Sequence, residues 1–296
     1  MASLRSQIIA PIMRMTMKKK LGQSGDPAKE REFLDKMSGM TSRRPQGKYD
    51  VIGGVSGEWQ QANLGSADNV ILYLHGGAFV IGSPTSHRDM VGAIADVAQA
   101  RAFIVDYRLA PETPFPGAVD DAVAAYKGLL ANGEKAEKII IVGDSAGGGL
   151  TMSTLVALRE EGIELPAGAV CISPWADLTF TGDSMIVKDK VDAMLGRGSL
   201  SWFADQYLAG QDAAQPLASP IFADLEGMPP ILIQVGSNEV LLDDAVRLNK
   251  ALKKAGSDVT LEVWDGQMHV WHLMSMVVPE GKHAINVIGT FVKTHT

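Results

Sequence analysis

After about residue 50 the chain alternates short apolar runs with longer helical patterns, and that rhythm constrains its fold more than any other feature. The runs are 70–74 (VILYL), 102–105 (AFIV), 139–142 (IIIV), 169–172 (AVCI), 231–235 (ILIQV) and 259–263 (VTLEV). They are short, rich in β-branched residues and bounded by Gly, Pro or charge, which is how strands buried on both faces read. Helical stretches fall between them. Stretch 86–100 opens on a serine at the expected N-cap, and 116–131 has Pro at its start, where the missing N–H is harmless. Stretch 241–255 sets Leu241, Ala245, Leu248 and Leu252 on one face and stops at Gly256. Such alternation implies an α/β fold with a mostly parallel sheet and helices on both faces. Residues 176–220 break the rhythm, with Met, Leu and aromatic residues but no strand-like run. They read as a helical insertion that, with residues 1–48, makes a second layer over the carboxyl ends of the strands, where sites in open parallel sheets lie.

Charge divides the chain at the same place. Residues 1–48 carry net +7 and residues 49–296 net −14. The acidic total argues against general nucleic-acid binding. The apolar stretch 8–13 is interrupted by Pro11 and followed by Arg14 and Lys18, Lys19 and Lys20, with no small-x-small cleavage site. No apolar run is long enough to span a bilayer, so stable membrane insertion is not expected. Two readings of residues 1–20 stand: a basic segment lying on a membrane surface, or a helix packed on its own protein, which is favoured because apolar stripes are usually packed. The one cysteine, Cys171, has no internal partner, which points to a reducing, cytoplasmic setting.

The chemistry concentrates at strand ends. Run 139–142 leads directly into Gly143-Asp144-Ser145-Ala146-Gly147. A serine on a tight strand-to-helix turn projects its hydroxyl, and the helix N-terminus supplies N–H groups and a positive dipole near developing negative charge. Run 70–74 ends in His75-Gly76-Gly77-Ala78-Phe79, a loop whose glycines let backbone N–H groups approach a ligand. Gly76, Gly77 and Ala146 are the expected oxyanion donors. His75 reads as a packing or hydrogen-bonding residue of that loop. His269 follows the last run, where a base in the order serine, acid, histidine must lie. His272 is the weaker alternative, His87 sits at a helix start, and His283 and His295 read as surface residues. For the acid, Glu239 in the loop after 231–235 is favoured over Asp243, with Asp265 third. Asp243 and Asp244 fall in a first helical turn, where acids commonly serve the helix dipole.

Taken together, HGGAF at 75–79, YRLAPETPFP at 107–116, GDSAGG at 143–148, SPWADLT at 173–179 and the late His269 resemble the bacterial hormone-sensitive lipase family of carboxylesterases over about residues 50–296. The resemblance implies an α/β-hydrolase fold, a helical cap, a serine–acid–histidine triad, no cofactor and, as family members often are, a homodimer. The cap then comprises 1–48 and 176–220, and the catalytic domain 49–175 and 221–296. Where the family usually has Asp in D-P-L, this chain has Glu239 in E-V-L-L-D, a longer side chain that must pack differently. The resemblance also implies a supporting loop at 107–116, in which Arg108 and Glu112 are read as an internal ion pair.

The resulting expectation is a serine carboxylesterase acting on short- to medium-chain acyl esters, roughly two to eight carbons by that analogy. Ser145, Glu239 and His269 form its triad, and a small-molecule ester is its partner. An amidase or deacetylase with the same triad, and a non-catalytic binding protein on the same scaffold, are the alternatives. No P-loop, dinucleotide fingerprint or metal cluster stands out in the sequence, so neither a cofactor nor a metal is expected.

Overall fold

The computed structural model describes residues 2–61 and 68–296. The segments 1–48 and 49–175 read from the sequence run over Met1 and residues 62–67, which lie outside the described residues. Among the described residues, eight strands form one sheet. They are β1 (Lys48–Ile52), β2 (Val55–Gln61), β3 (Val70–Leu74), β4 (Arg101–Val105), β5 (Ile139–Asp144), β6 (Gly168–Ile172), β7 (Ile231–Gly236) and β8 (Val259–Trp264). Their spatial order is β1-β2-β4-β3-β5-β6-β7-β8. All pairings from β4 to β8 are parallel, and β1 and β2 add an antiparallel edge. The α/β architecture expected from the rhythm is the one the chain adopts.

Strand periodicity explains the layers. Alternate residues point to opposite faces, and in β3, β5, β6 and β7 both sets are buried and, apart from Asp144 and Gln234, not polar. Leu72, Leu74, Ile141, Cys171 and Ile233 face one core, which is closed by α4 (Gly117–Ala131), α5 (Ala146–Glu160) and α8 (Leu242–Lys254). Ile71, Tyr73, Ile140, Val142 and Val170 face the other, covered by α3 (Pro84–Ala98) and α9 (Pro279–His295). Cys171 has no exposed surface, and burial pushes its thiol up to about 12.

Four readings need correction. The β1–β2 hairpin has no apolar run because it is a half-exposed edge, turning through Gly53 and Gly54, both at positive φ. The run at 259–263 is not buried on both faces, since β8 closes the opposite edge, leaving Thr260 and Val263 exposed and Leu261 and Glu262 only half-buried. Helix α3 starts at Pro84, and its cap is Ser83, whose hydroxyl accepts the N–H of Ser86. Arg108 and Glu112 do not pair with each other. Arg108 binds Asp121 of α4, and Glu112 receives the guanidinium of Arg31.

That last contact belongs to the basic segment. It contains α1 (Leu4–Met13), a π-helical turn (Arg14–Lys18) and α2 (Pro27–Thr41). Arg31 of α2 also donates to the carbonyls of Val80 and Ala110, and Arg44 pairs with Asp96. The segment is therefore seated on acidic partners and loop carbonyls of the body. One face of α1 and its continuation packs inward through Ser6, Met13 and Met17. The other exposes Leu4, Ile8, Ile12 and Met15. The insertion contributes α6 (Ser184–Val187) and α7 (Arg197–Leu208). Among the described residues no helix is long and apolar enough to cross a membrane.

Candidate active site

Ser145 stands between β5 and α5 at φ 55° and ψ −121°, a backbone conformation that non-glycine residues rarely adopt. The turn is held by the Ser145 N–H donating to Ile172 O at 2.8 Å. Its tightness depends on the flanking glycines. A Cβ on Gly143 would lie 2.1 Å from Gly147 O, and one on Gly147 would lie 1.9 Å from Leu74 O. Both obstacles are backbone, so neither can swing aside. Gly147→Ala is expected to cost about 3 kcal/mol or more of unfolding free energy, by forcing α5 off the sheet. Denaturant titration measures this; a loss under about 1 kcal/mol would contradict the packing argument.

The loop after β3 lies beside this turn because β3 and β5 are neighbours, with Leu74 opposite Gly143. Here one expected donor is corrected. The Gly76 N–H donates to Asp144 Oδ1 at 2.9 Å, so it is committed inside the protein. Among the described residues, the N–H groups of Gly77, Ala78 and Ala146 meet no protein acceptor. Ala78, at φ 54°, presents an open N–H that the sequence does not signal.

Asp144 organises the loop from below. Its Oδ1 also accepts the Tyr73 hydroxyl at 2.7 Å, and its Oδ2 lies 3.3 Å from His87 Nε2. Burial alone would raise the Asp144 carboxyl, but the His87 ring and these hydrogen bonds hold it below its ordinary value. Burial likewise opposes a charge on His87, and Asp144 outweighs it and raises the imidazole. His75 stacks on Tyr107 with ring centres 4.2 Å apart. Burial, reinforced by His87, lowers it to about 3, so it stays neutral.

Glu239 and His269 come from the loops after β7 and β8. His269 Nδ1 is 2.8 Å from Glu239 Oε2, and both side chains are buried. The second oxygen of Glu239 accepts the Gly236 N–H at 2.6 Å and the Ser173 hydroxyl at 2.8 Å. The longer glutamate is thus accommodated by a backbone amide and a serine of the SPWADLT stretch, neither of which the sequence reading had assigned. Burial works against a charge on His269, but the hydrogen bond and charge of Glu239 prevail and raise its pKa. Asp243 meets no part of this pair; it accepts the Ser184 N–H at 2.7 Å. Asp265 is exposed in the turn after β8. His272 is bonded to Gln234 at 2.8 Å and is lowered to about 3 by burial.

Ser145, His269, Gly77 and Ala78 line one cavity of about 200 Å³. Its outer wall is largely apolar. Met13, Met17, Leu21 and Met37 come from the N-terminal segment, and Met194, Leu195, Leu200 and Phe203 from the insertion. A buried serine, an imidazole oriented by a carboxylate and three open N–H groups around one apolar cavity are the parts that acyl transfer requires.

Comparison with known proteins places the chain among esterases of the same fold. A family model described as the α/β-hydrolase fold matches residues 71–273. An acetyl-hydrolase of Streptomyces hygroscopicus is 48% identical, covering 85% of this chain and 84% of that protein. An esterase of Acinetobacter venetianus is 36% identical over 88% of this chain and 87% of its own. The crystal structure of an esterase from the bacterial hormone-sensitive lipase family superposes with a TM-score of 0.94 at 42% identity, covering 100% of this chain and 99% of that one.

Proposed function

The chain belongs to the bacterial hormone-sensitive lipase family of α/β-hydrolase-fold proteins and is a carboxylic ester hydrolase, and we propose that it works through an acyl-enzyme on Ser145. The observation that carries this reading is the buried 2.8 Å contact between Glu239 and His269 on the cavity that also holds Ser145. With Nδ1 engaged by Glu239, Nε2 is the nitrogen that takes the Ser145 proton as the hydroxyl attacks the ester carbonyl. The carbonyl oxygen becomes an anion and is received by the N–H groups of Gly77, Ala78 and Ala146, each worth about 3–4 kcal/mol in the transition state. His269 then returns the proton to the departing alcohol, and water repeats the sequence on the acyl-enzyme. Glu239 fixes the tautomer and stabilises the imidazolium.

Residues 1–48 and 176–220 act as a cap on a catalytic domain of 49–175 and 221–296, since both segments wall the cavity. A small cavity walled by methionine, leucine and phenylalanine suits short to medium acyl groups, and a relative named acetyl-hydrolase supports the short end. Rates on p-nitrophenyl esters are expected to peak at about two to eight acyl carbons. A maximum at long chains would overturn this substrate range. A fluorophosphonate should label Ser145 stoichiometrically, as peptide mass analysis would detect; labelling elsewhere would refute the nucleophile.

A further inference from the structure

The segments that roof the cavity also grip the loops that carry the acid and the base. Asp192, between α6 and α7, is fully buried. Its Oδ1 accepts the N–H groups of Met194 and Leu195 at 2.8 and 2.9 Å, a local turn that sets two cavity-wall residues. Its Oδ2 reaches across to the N–H of Val240 at 2.9 Å, and Val240 directly follows Glu239. Ser184 of α6 completes the grip. Its hydroxyl donates to Val240 O at 2.7 Å and accepts the Asp243 N–H at 2.9 Å. Both backbone polar groups of Val240 are therefore held by the insertion rather than by the sheet. On the base side, Ser6 of α1 donates to Gln267 Oε1 at 2.9 Å, two residues before His269.

A local turn would be served by an asparagine or serine. Burying a carboxylate costs several kcal/mol unless its oxygens are bonded, and here the second oxygen is spent on the acid loop. We infer that Asp192 is a positioning residue for hydrolysis, holding the Glu239 loop to the roof while Ser6 holds the His269 loop, so that the roof sets the geometry of the acid–base pair as well as the acyl pocket. The inference rests on the Ser145–His269–Glu239 reading above. Charge adds a second link. The groups facing His269 are Glu239, Asp192 and Asp144, which favour its protonated form, and neutral His272. Lys18, whose Nζ lies 3.2 Å from the Asp192 carbonyl, is the nearby cation.

Asp192→Asn keeps the shape but loses the charge and cannot accept at every donor. With p-nitrophenyl butyrate, kcat is expected to fall roughly ten- to a hundredfold, as a small misplacement of reacting groups does, with KM nearly unchanged. The acid limb of kcat/KM should move to lower pH, and the low-field proton resonance of the His269 Nδ1–H should shift or broaden. Wild-type kcat, pH profile and resonance, with only a lowered Tm, would reduce Asp192 to a structural role and overturn the inference. If Asp192→Asn does not fold by circular dichroism, Ser184→Ala reads the same grip through kcat and the resonance, and wild-type values there would overturn it equally. Ser145→Ala is run alongside. If it is inactive while Asp192→Asn behaves as wild type, only this inference fails; if it is active, the underlying triad reading fails and takes the inference with it.

Discussion

Ser145→Ala is expected to lower kcat on p-nitrophenyl butyrate by about 10⁴- to 10⁶-fold while the protein folds and binds ester normally. The hydroxyl has no ready substitute, because the chain's one thiol, Cys171, is buried in β6. Removing a nucleophile that acts together with its base and acid costs nearly the whole of their joint contribution. Residual rate over water should remain, since the open N–H groups of Gly77, Ala78 and Ala146 are untouched and still stabilise an oxyanion. Stability should change little, because the strained φ of 55° belongs to the backbone turn and alanine is no bulkier there. A variant within tenfold of wild type would rule out Ser145 as the nucleophile.

Glu239→Gln is expected to cost about 10⁴-fold in kcat, far more than Asp243→Asn. The amide can no longer accept from His269 Nδ1 in the same way, so the imidazole loses its fixed tautomer and the charge that stabilises its protonated form. The sign on the pH axis follows from the same contact. His269 must be neutral to act as base, and Glu239 helps to raise its pKa above the ordinary value. Wild-type kcat/KM therefore falls as pH drops through that raised pKa, and the limb should move to lower pH in Glu239→Gln even as the plateau collapses. Asp243→Asn leaves the limb in place, because its carboxylate caps Ser184 N–H at the start of α6. If Asp243→Asn proved the more damaging, the acid would have to be reassigned.

The central strands were legible because burial on both faces writes an unbroken apolar run, as in VILYL and IIIV. The edge hairpin was not, since half its side chains meet water. Its signals were weaker: the Gly53-Gly54 pair and the alternation of Val55, Gly57 and Trp59. Ser145, Glu239 and His269 were read as a set because each follows a strand; Ser145 and His269 lie on one cavity, and Glu239 is bonded to His269 behind it. The role of Gly76 was not readable. It depends on β3 lying beside β5, which puts the Asp144 carboxylate under the loop and consumes one N–H. Arg108 and Glu112, four residues apart, suggested each other; their partners come from α4 and α2, and only the tertiary arrangement supplies those.

The buried thiol of Cys171 has a practical consequence. At neutral pH a group held near 12 is almost wholly protonated, and here it has no exposed surface, so alkylating reagents should pass it by. Because it is the chain's only cysteine, thiols introduced at exposed positions such as Met15, on the π-helical turn that continues α1, and Lys250, on α8, would be the only ones to react. A spin label or fluorophore pair could then be placed across the molecule without removing the native cysteine, and the separation between roof and body could be followed directly during turnover.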